Sequence, residues 1–307
     1  MRSTAPPPRV GRDDDSDIRR ARKASLADRA AFVARRRAQT PGISRREALA
    51  AELGARTALT IPEHRGLACA APGTLDGVDD VVAAADAVLA RVRSGELEGR
   101  RKGAMRKDLL HTSDLHFASP FLRFARSEGV VAPVSAYLGV IPILTYVDVW
   151  HSEHVAKAPF SSQLWHLDGA DVRQIKVFVH CSDVGATSGP LTVVGAAASA
   201  ALTRDVGYTF ATSSRVDDDT VQRLLPAGTA AEPLTGPRGT AAFVDTSRCL
   251  HFGSRVEAGA PPRTVVVFQY LTPFGFGFEH DHREEAPFRE LAEEASSECD
   301  RLLLGAA

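Results

Sequence analysis

The chain has 307 residues, 44% hydrophobic and 24% charged, a composition that supports a large core in a globular protein. Thirty-seven Lys and Arg face 38 Asp and Glu, for a formal charge of −1. That balance offers no general field for nucleic acid, so no nucleic-acid partner is expected. No apolar window is long enough for a membrane span, and the N-terminus shows no secretory pattern. Cys69, Cys181, Cys249 and Cys299 lie far apart without a CxxC pair, which argues against a zinc knuckle or a disulfide framework and suits a reducing cytoplasm.

Residues 1–17 combine three consecutive prolines with an acidic cluster and read as a disordered leader, with residues 18–307 forming one domain. Residues 18–37, dense in Arg and Ala, predict a largely exposed helix. Ser44 and Glu47 have capping-box spacing, with a short helix following to about Leu53 and closing at Gly54. Val78, Val81, Val82, Ala85, Leu89 and Val92 recur at three- and four-residue intervals and predict an amphipathic helix ending before Gly95. Residues 18–130 thus read as mainly helical support.

After Pro133 the segments become short and β-branched: 143–150, 174–179, 191–194, 240–244 and 264–271. No helix alternates regularly with them, so an antiparallel sandwich or barrel is favoured over a βαβ sheet, giving a mainly β core at 131–275 within an α+β chain. Residues 284–304, rich in Glu, Ala and Leu, predict a closing helix.

The most informative stretch is Gln163-Leu-Trp-His166-Leu-Asp168. On extended chain, residues two apart share a face, so His166 and Asp168 can converge on one ion. His251, just beyond the strand at 240–244, supplies a third ligand. Two imidazoles and one carboxylate leave half of an octahedral metal open, as a ferrous centre that binds a cosubstrate and dioxygen requires. Structural zinc would call for a fourth protein ligand.

With these residues in place, the chain resembles the phytanoyl-CoA dioxygenase-like family of Fe(II)/2-oxoglutarate oxygenases over residues 137–273. The likeness rests on Gln163-x-x-His166-x-Asp168, Lys176-Val-Phe-Val, Asp183-Val, Gly189-Pro190-Leu191, His251 and Arg263 in order. The resemblance implies a double-stranded β-helix, or cupin-like jelly roll, with Fe(II) held by His166, Asp168 and His251. It implies 2-oxoglutarate as cosubstrate, held through its distal carboxylate by Arg263 and contacted by Gln163 and Thr192. The activity it implies is dioxygenase oxidation of a small metabolite, hydroxylation or a related reaction, with release of succinate and CO2. Because Asp168 is retained, halide has no vacated ligand position, and halogenation is disfavoured. Where many relatives have a serine two residues after the distal histidine, this chain has Gly253, then Ser254, which leaves the hydroxyl partner of Arg263 open.

Blander roles stand beside these. Arg263 could form a surface ion pair, and Lys176, alone in an apolar strand, is read as facing solvent in preference to contacting an anion. His151 with His154, and His280 with His282, lack a third ligand and read as solvated loop histidines; Cys181 and Cys249 read as small buried hydrophobes. Substrate recognition is expected from segments 101–124 and 202–234, with Arg173, Arg255 and His111 as candidate anion contacts. A cupin-type metal-dependent isomerase or hydrolase without 2-oxoglutarate, and a binding module without turnover, are the alternative classes.

Overall fold

The computed structural model describes residues 20–306 except 22, 103, 211–214 and 277–285. The leader at 1–17 and the pair His280 and His282 lie outside the described residues. Helices α1 (Leu26–Gln39) and α2 (Ile43–Gly54) open the chain, followed by β1 (Leu67–Ala70) and α3 (Val78–Arg93). A hairpin of β2 (Arg100–Lys102) and β3 (Met105–Lys107) leads to α4 (Pro120–Arg126) and α5 (Glu128–Leu138). The long strands are β4 (Ile143–Ser152), β5 (Gln174–His180) and β10 (Arg263–Leu271). Between β5 and β10 come β6 (Leu191–Val193), α6 (Ala196–Asp205), α7 (Asp218–Leu224), β7 (Glu232–Leu234), β8 (Ala241–Val244) and β9 (His251–Phe252).

The strands form two antiparallel sheets, one in the order β1-β8-β5-β10-β4-β3-β2 and the other β7-β6-β9. Period-two alternation divides the large sheet. Ile175, Val177 and Val179 of β5, with Val266, Phe268 and Tyr270 of β10, pack in the core that also takes Val81, Val82 and Ala85 of α3. The opposite face puts Phe178, Val265, Val267 and Val244 against Leu191 and Val193 of the small sheet. Gln174, Lys176 and Arg263 fall on this inner face by the same alternation, which is why the functional groups gather between the sheets.

Several expectations are revised. The capping box at Ser44 does not form: the helix starts at Ile43 behind Gly42, whose φ of 70° is open to glycine, and Glu47 pairs with Arg37 instead. The helical region runs on through Pro133 to Leu138, past the expected boundary at 130, while the first long strand begins at Ile143 as expected. In place of one closing helix, the described tail holds a 3-10 stretch, Arg289–Glu294, and a short helix α8, Glu298–Leu303, capped by Ser297. Strands β1, β2, β3, β7 and β9, none longer than four residues, were not among those expected.

The first helix is also less exposed than its arginines suggest. Arg29, Phe32 and Val33 form a buried stripe at helical spacing. The Arg29 guanidinium lies 3.9 Å from the Phe210 ring centroid and 4.4 Å from that of Phe276. Its Nη2 donates to the carbonyls of Gly169 and Asp171, at 3.1 and 3.2 Å. A charge buried this deeply survives because stacking and carbonyl acceptors replace its water.

Candidate functional site

Residues 165–168 run extended beside β9 without belonging to a regular strand. His166 and His251 pair directly across an antiparallel bridge, exchanging backbone N–H···O bonds of 3.0 and 3.1 Å. The Asp168 N–H donates to the Thr246 carbonyl at 2.8 Å. Facing residues in such a bridge share a side, so both imidazoles point into the space between the sheets, with ring centroids 4.3 Å apart. Trp165 and Leu167, alternating outward, pack with Val194, Leu202 and Leu250 in a separate apolar cluster that fixes the segment from behind.

Candidate ligand atoms of His166, Asp168 and His251 all lie within 4.8 Å of one another. Asp168 Oδ1 is 3.9 Å from His166 Nε2, and Oδ2 is 3.8 Å from His251 Nε2. Each imidazole donates from Nδ1 to a backbone carbonyl, His166 to Leu164 at 2.8 Å and His251 to Cys249 at 2.9 Å. Those bonds hold the proton on Nδ1 and leave each Nε2 with a lone pair aimed at the shared point. Burial, with the mutual proximity of the rings, pushes His166 down to about 3; burial lowers His251 as well. Asp168 is held below the usual carboxylate range, because the charge and hydrogen bond of Lys176 outweigh its desolvation. Neutral imidazoles and an ionised carboxylate are the protonation states that bind a cation.

Arg263 opens β10 with only 3% of its surface exposed. Its Nη2 donates to Ser254 Oγ at 3.1 Å, while its Nε has no hydrogen-bond partner, and no carboxylate of the described residues pairs with it. Burial pushes its pKa down to about 10. The surface ion pair considered for Arg263 is therefore absent. Ser254, at φ 64°, is the hydroxyl beside the guanidinium; it accepts from Ser152 Oγ at 2.9 Å. A cavity of about 390 Å3 joins Arg263 to His166, Asp168 and His251.

Lys176 does not face solvent. Its Nζ lies 2.8 Å from Asp168 Oδ2 and 5.7 Å from the Trp150 ring centroid, and it lines the cavity. Gln174, two residues earlier on the same face, donates from Nε2 to Thr246 Oγ1 at 2.7 Å and reaches Asp168 Oδ2 at 3.4 Å. Sequence reasoning weighed an anion contact for Lys176 but preferred solvent, and missed Gln174, although their spacing on β5 from Phe178 signalled one shared face.

Gln163 and Thr192 do not line the cavity. Gln163 spends its amide on the Ser254 carbonyl at 2.8 Å and the Phe160 N–H at 3.4 Å, while Thr192 Oγ1 sits 3.5 Å from the Pro190 carbonyl. Arg173 pairs with Glu63, Arg255 pairs with Asp218 and stacks on Phe252, and His111 starts a 3-10 turn; none lines the cavity. His151 lies on β4, not in a loop, with Nδ1 2.9 Å from Thr264 Oγ1, and His154 Nδ1 meets the Val256 carbonyl at 2.8 Å. Cys181 and Cys249 are buried as expected, and burial raises both thiols.

No known family profile and no curated protein sequence matches the chain. Solved structures do. The non-heme alpha ketoglutarate dependent epimerase SnoN from nogalamycin biosynthesis aligns with a TM-score of 0.50 at 20% identity, over 73% of this chain and 84% of SnoN. EctD from S. alaskensis, crystallised with 2-oxoglutarate and 5-hydroxyectoine, aligns with a TM-score of 0.50 at 16% identity, over 68% of this chain and 73% of EctD. The likeness is one of fold. SnoN has also been crystallised with Fe3+, alpha ketoglutarate and nogalamycin RO. Among the described residues, no helix is long and apolar enough to cross a membrane.

Proposed function

We propose that this chain is an Fe(II)- and 2-oxoglutarate-dependent oxygenase acting on a small molecule, its two sheets forming the walls of a jelly roll. The observation that carries this reading is the buried guanidinium of Arg263, paired with no carboxylate among the described residues, in the same cavity as a three-ligand cluster. An unpaired buried charge costs several kcal/mol, roughly, unless an anion completes it. A planar guanidinium fits a carboxylate bidentately, which suits the far end of an oxo-diacid whose near end chelates the metal. A cupin-type enzyme without a dicarboxylate cosubstrate gives Arg263 no partner.

His166, Asp168 and His251 would hold the iron by one face, and Arg263 with Ser254 would orient the cosubstrate. The bound metal, cosubstrate and dioxygen together supply an oxidant able to take hydrogen from an unactivated C–H bond, with 2-oxoglutarate leaving as succinate and CO2. The chain's own part is to fix the ligands through the His166–His251 bridge, to hold both imidazoles neutral, and to place the substrate in the cavity. The epimerase activity named for SnoN and the 5-hydroxyectoine bound to EctD make epimerisation and hydroxylation outcomes to assay.

Anaerobic titration with Fe(II) and 2-oxoglutarate tests the reading. A weak visible charge-transfer band, followed on aeration by succinate formation, is the expected result. Iron binding without the band or succinate would overturn the 2-oxoglutarate assignment in favour of a redox-neutral metal enzyme.

A further inference from the structure

We propose that the substrate of this site is an organic anion, a carboxylate or phosphate on an apolar body, gripped by Lys102 and Lys107 of the β2–β3 hairpin. This rests on the oxygenase reading above. The hairpin continues the large sheet beyond β4, with Met105 paired to Ser152 and Lys102 to Met105. Residues directly opposite across an antiparallel pair share a face, as do residues two apart, so Lys102, Met105 and Lys107 form one surface. All three line the cavity that holds the metal cluster.

Charge makes the case. Among the described residues, Lys102, Lys107, Lys176 and Arg263 line this cavity, against Asp168 as its one lining carboxylate. Loading does not cancel the excess. Fe(II), Asp168 and the cosubstrate dianion together leave one negative charge, which Arg263 matches. Lys176 and Lys102 then remain, while Lys107 shares the exposed Asp108 with Arg100 at 3.5 and 2.6 Å respectively. The Lys102 ammonium makes no hydrogen bond or ion pair with the described residues. Partial desolvation, then the positive charges of Lys107 and Lys176, hold its ammonium below the usual range, opposed by Asp168.

Like charges lining one partly enclosed cavity repel unless an anion sits among them. Between the lysines and the metal cluster, Met105, Tyr146, Trp150 and Phe178 supply apolar wall. The head of the substrate would therefore lie at the hairpin and its carbon body along these side chains, toward the iron. Arg101 and Arg106, on the hairpin's other face, are not part of the lining.

The test uses protein loaded anaerobically with Fe(II) and 2-oxoglutarate, and 8-anilinonaphthalene-1-sulfonate as a fluorescent aromatic anion. Lys102→Met should weaken its binding at least tenfold, Lys102→Arg should restore it, and Arg101→Met, which removes the same charge outside the cavity, should leave it unchanged. Phenylacetate and phenyl phosphate should displace the probe where phenylacetamide does not, and the better displacer identifies the head group. Equal affinity in wild type and Lys102→Met, or displacement by the neutral amide as readily as by the acids, would overturn the proposal. The charge-transfer band, read in the same samples, reports separately on the oxygenase reading: its absence sinks that reading whatever the probe does.

Discussion

Lys176 Nζ stands 2.8 Å from Oδ2 of Asp168, so the only carboxylate among the three candidate metal ligands is already engaged by a cation. Asp168 lies on the extended segment after Gln163 and Lys176 on β5, and the bond ties that segment to the large sheet. The pair is mostly enclosed, with side-chain exposures of 12% for Lys176 and 21% for Asp168, so it is screened less than a surface pair.

Lys176→Met should separate two effects. Metal-free protein should melt at a lower temperature, because Asp168 loses its partner. Fe(II) should bind more tightly, by roughly tenfold or about 1.4 kcal/mol, since the competing cation is gone. Thermal melts with and without a chelator, together with anaerobic iron titration, read both; weaker iron binding would contradict the competition.

His166→Ala, Asp168→Ala or His251→Ala should abolish Fe(II)-dependent decarboxylation of 2-oxoglutarate, and full activity in any of them would refute the ligand set. Arg263→Gln should leave iron binding intact while raising the half-saturating 2-oxoglutarate concentration at least tenfold, about 1.4 kcal/mol of lost binding. An unchanged concentration dependence would reject the anchor.

Acid should unfold the protein partly through His180. Burial, then the charge of Arg263, lowers this histidine from 6.5 to about 4 in the folded state. The folded chain thus binds fewer protons than the unfolded chain between those values. The stability that depends on neutral His180 is complete above pH 6.5 and is lost as pH falls toward 4, up to roughly 3 kcal/mol. Chelator-treated His180→Gln protein should show a shallower loss of stability over this window in denaturant titrations. Parallel curves for variant and wild type would remove His180 from the account.

Arg29→Ala should lower the melting temperature and weaken iron binding together. The guanidinium holds the carbonyl of Gly169, the residue after Asp168, and that of Asp171, between the rings of Phe210 and Phe276. Two charge-assisted bonds and the stacking suggest a loss of about 3 kcal/mol. Arg29→Lys, which lacks the planar fork, should recover little of it. Unaltered iron affinity in the alanine variant would confine Arg29 to stabilising the fold.

His166, Asp168 and His251 were legible as a cluster because residues two apart on extended chain share a face, and the order and spacing of the motif brought in His251 beyond the strand at 240–244. The long strands and α3 were legible for the same reason of periodicity. Lys176 was misread because a single cation among apolar neighbours looks the same in sequence whether its face meets water or a cavity. The alternation of Ile175, Val177 and Val179 against Gln174, Lys176 and Phe178 separates two faces without saying which is wet. Arg29 was hidden by its own helix, where surrounding arginines masked the stripe it forms with Phe32 and Val33. Gln163 and Thr192, assigned by resemblance, lie near the cavity in sequence but spend their polar groups on backbone.

The direct backbone pairing of His166 with His251 makes iron capture a reporter of strand registry. If that bridge slipped by one residue on either side, an imidazole would exchange places with Trp165, Leu167, Leu250 or Phe252, and the ion would meet hydrocarbon. A misthreaded chain, however compact, would be blind to the metal, so ferrous uptake would select the correctly assembled molecule from its near misses.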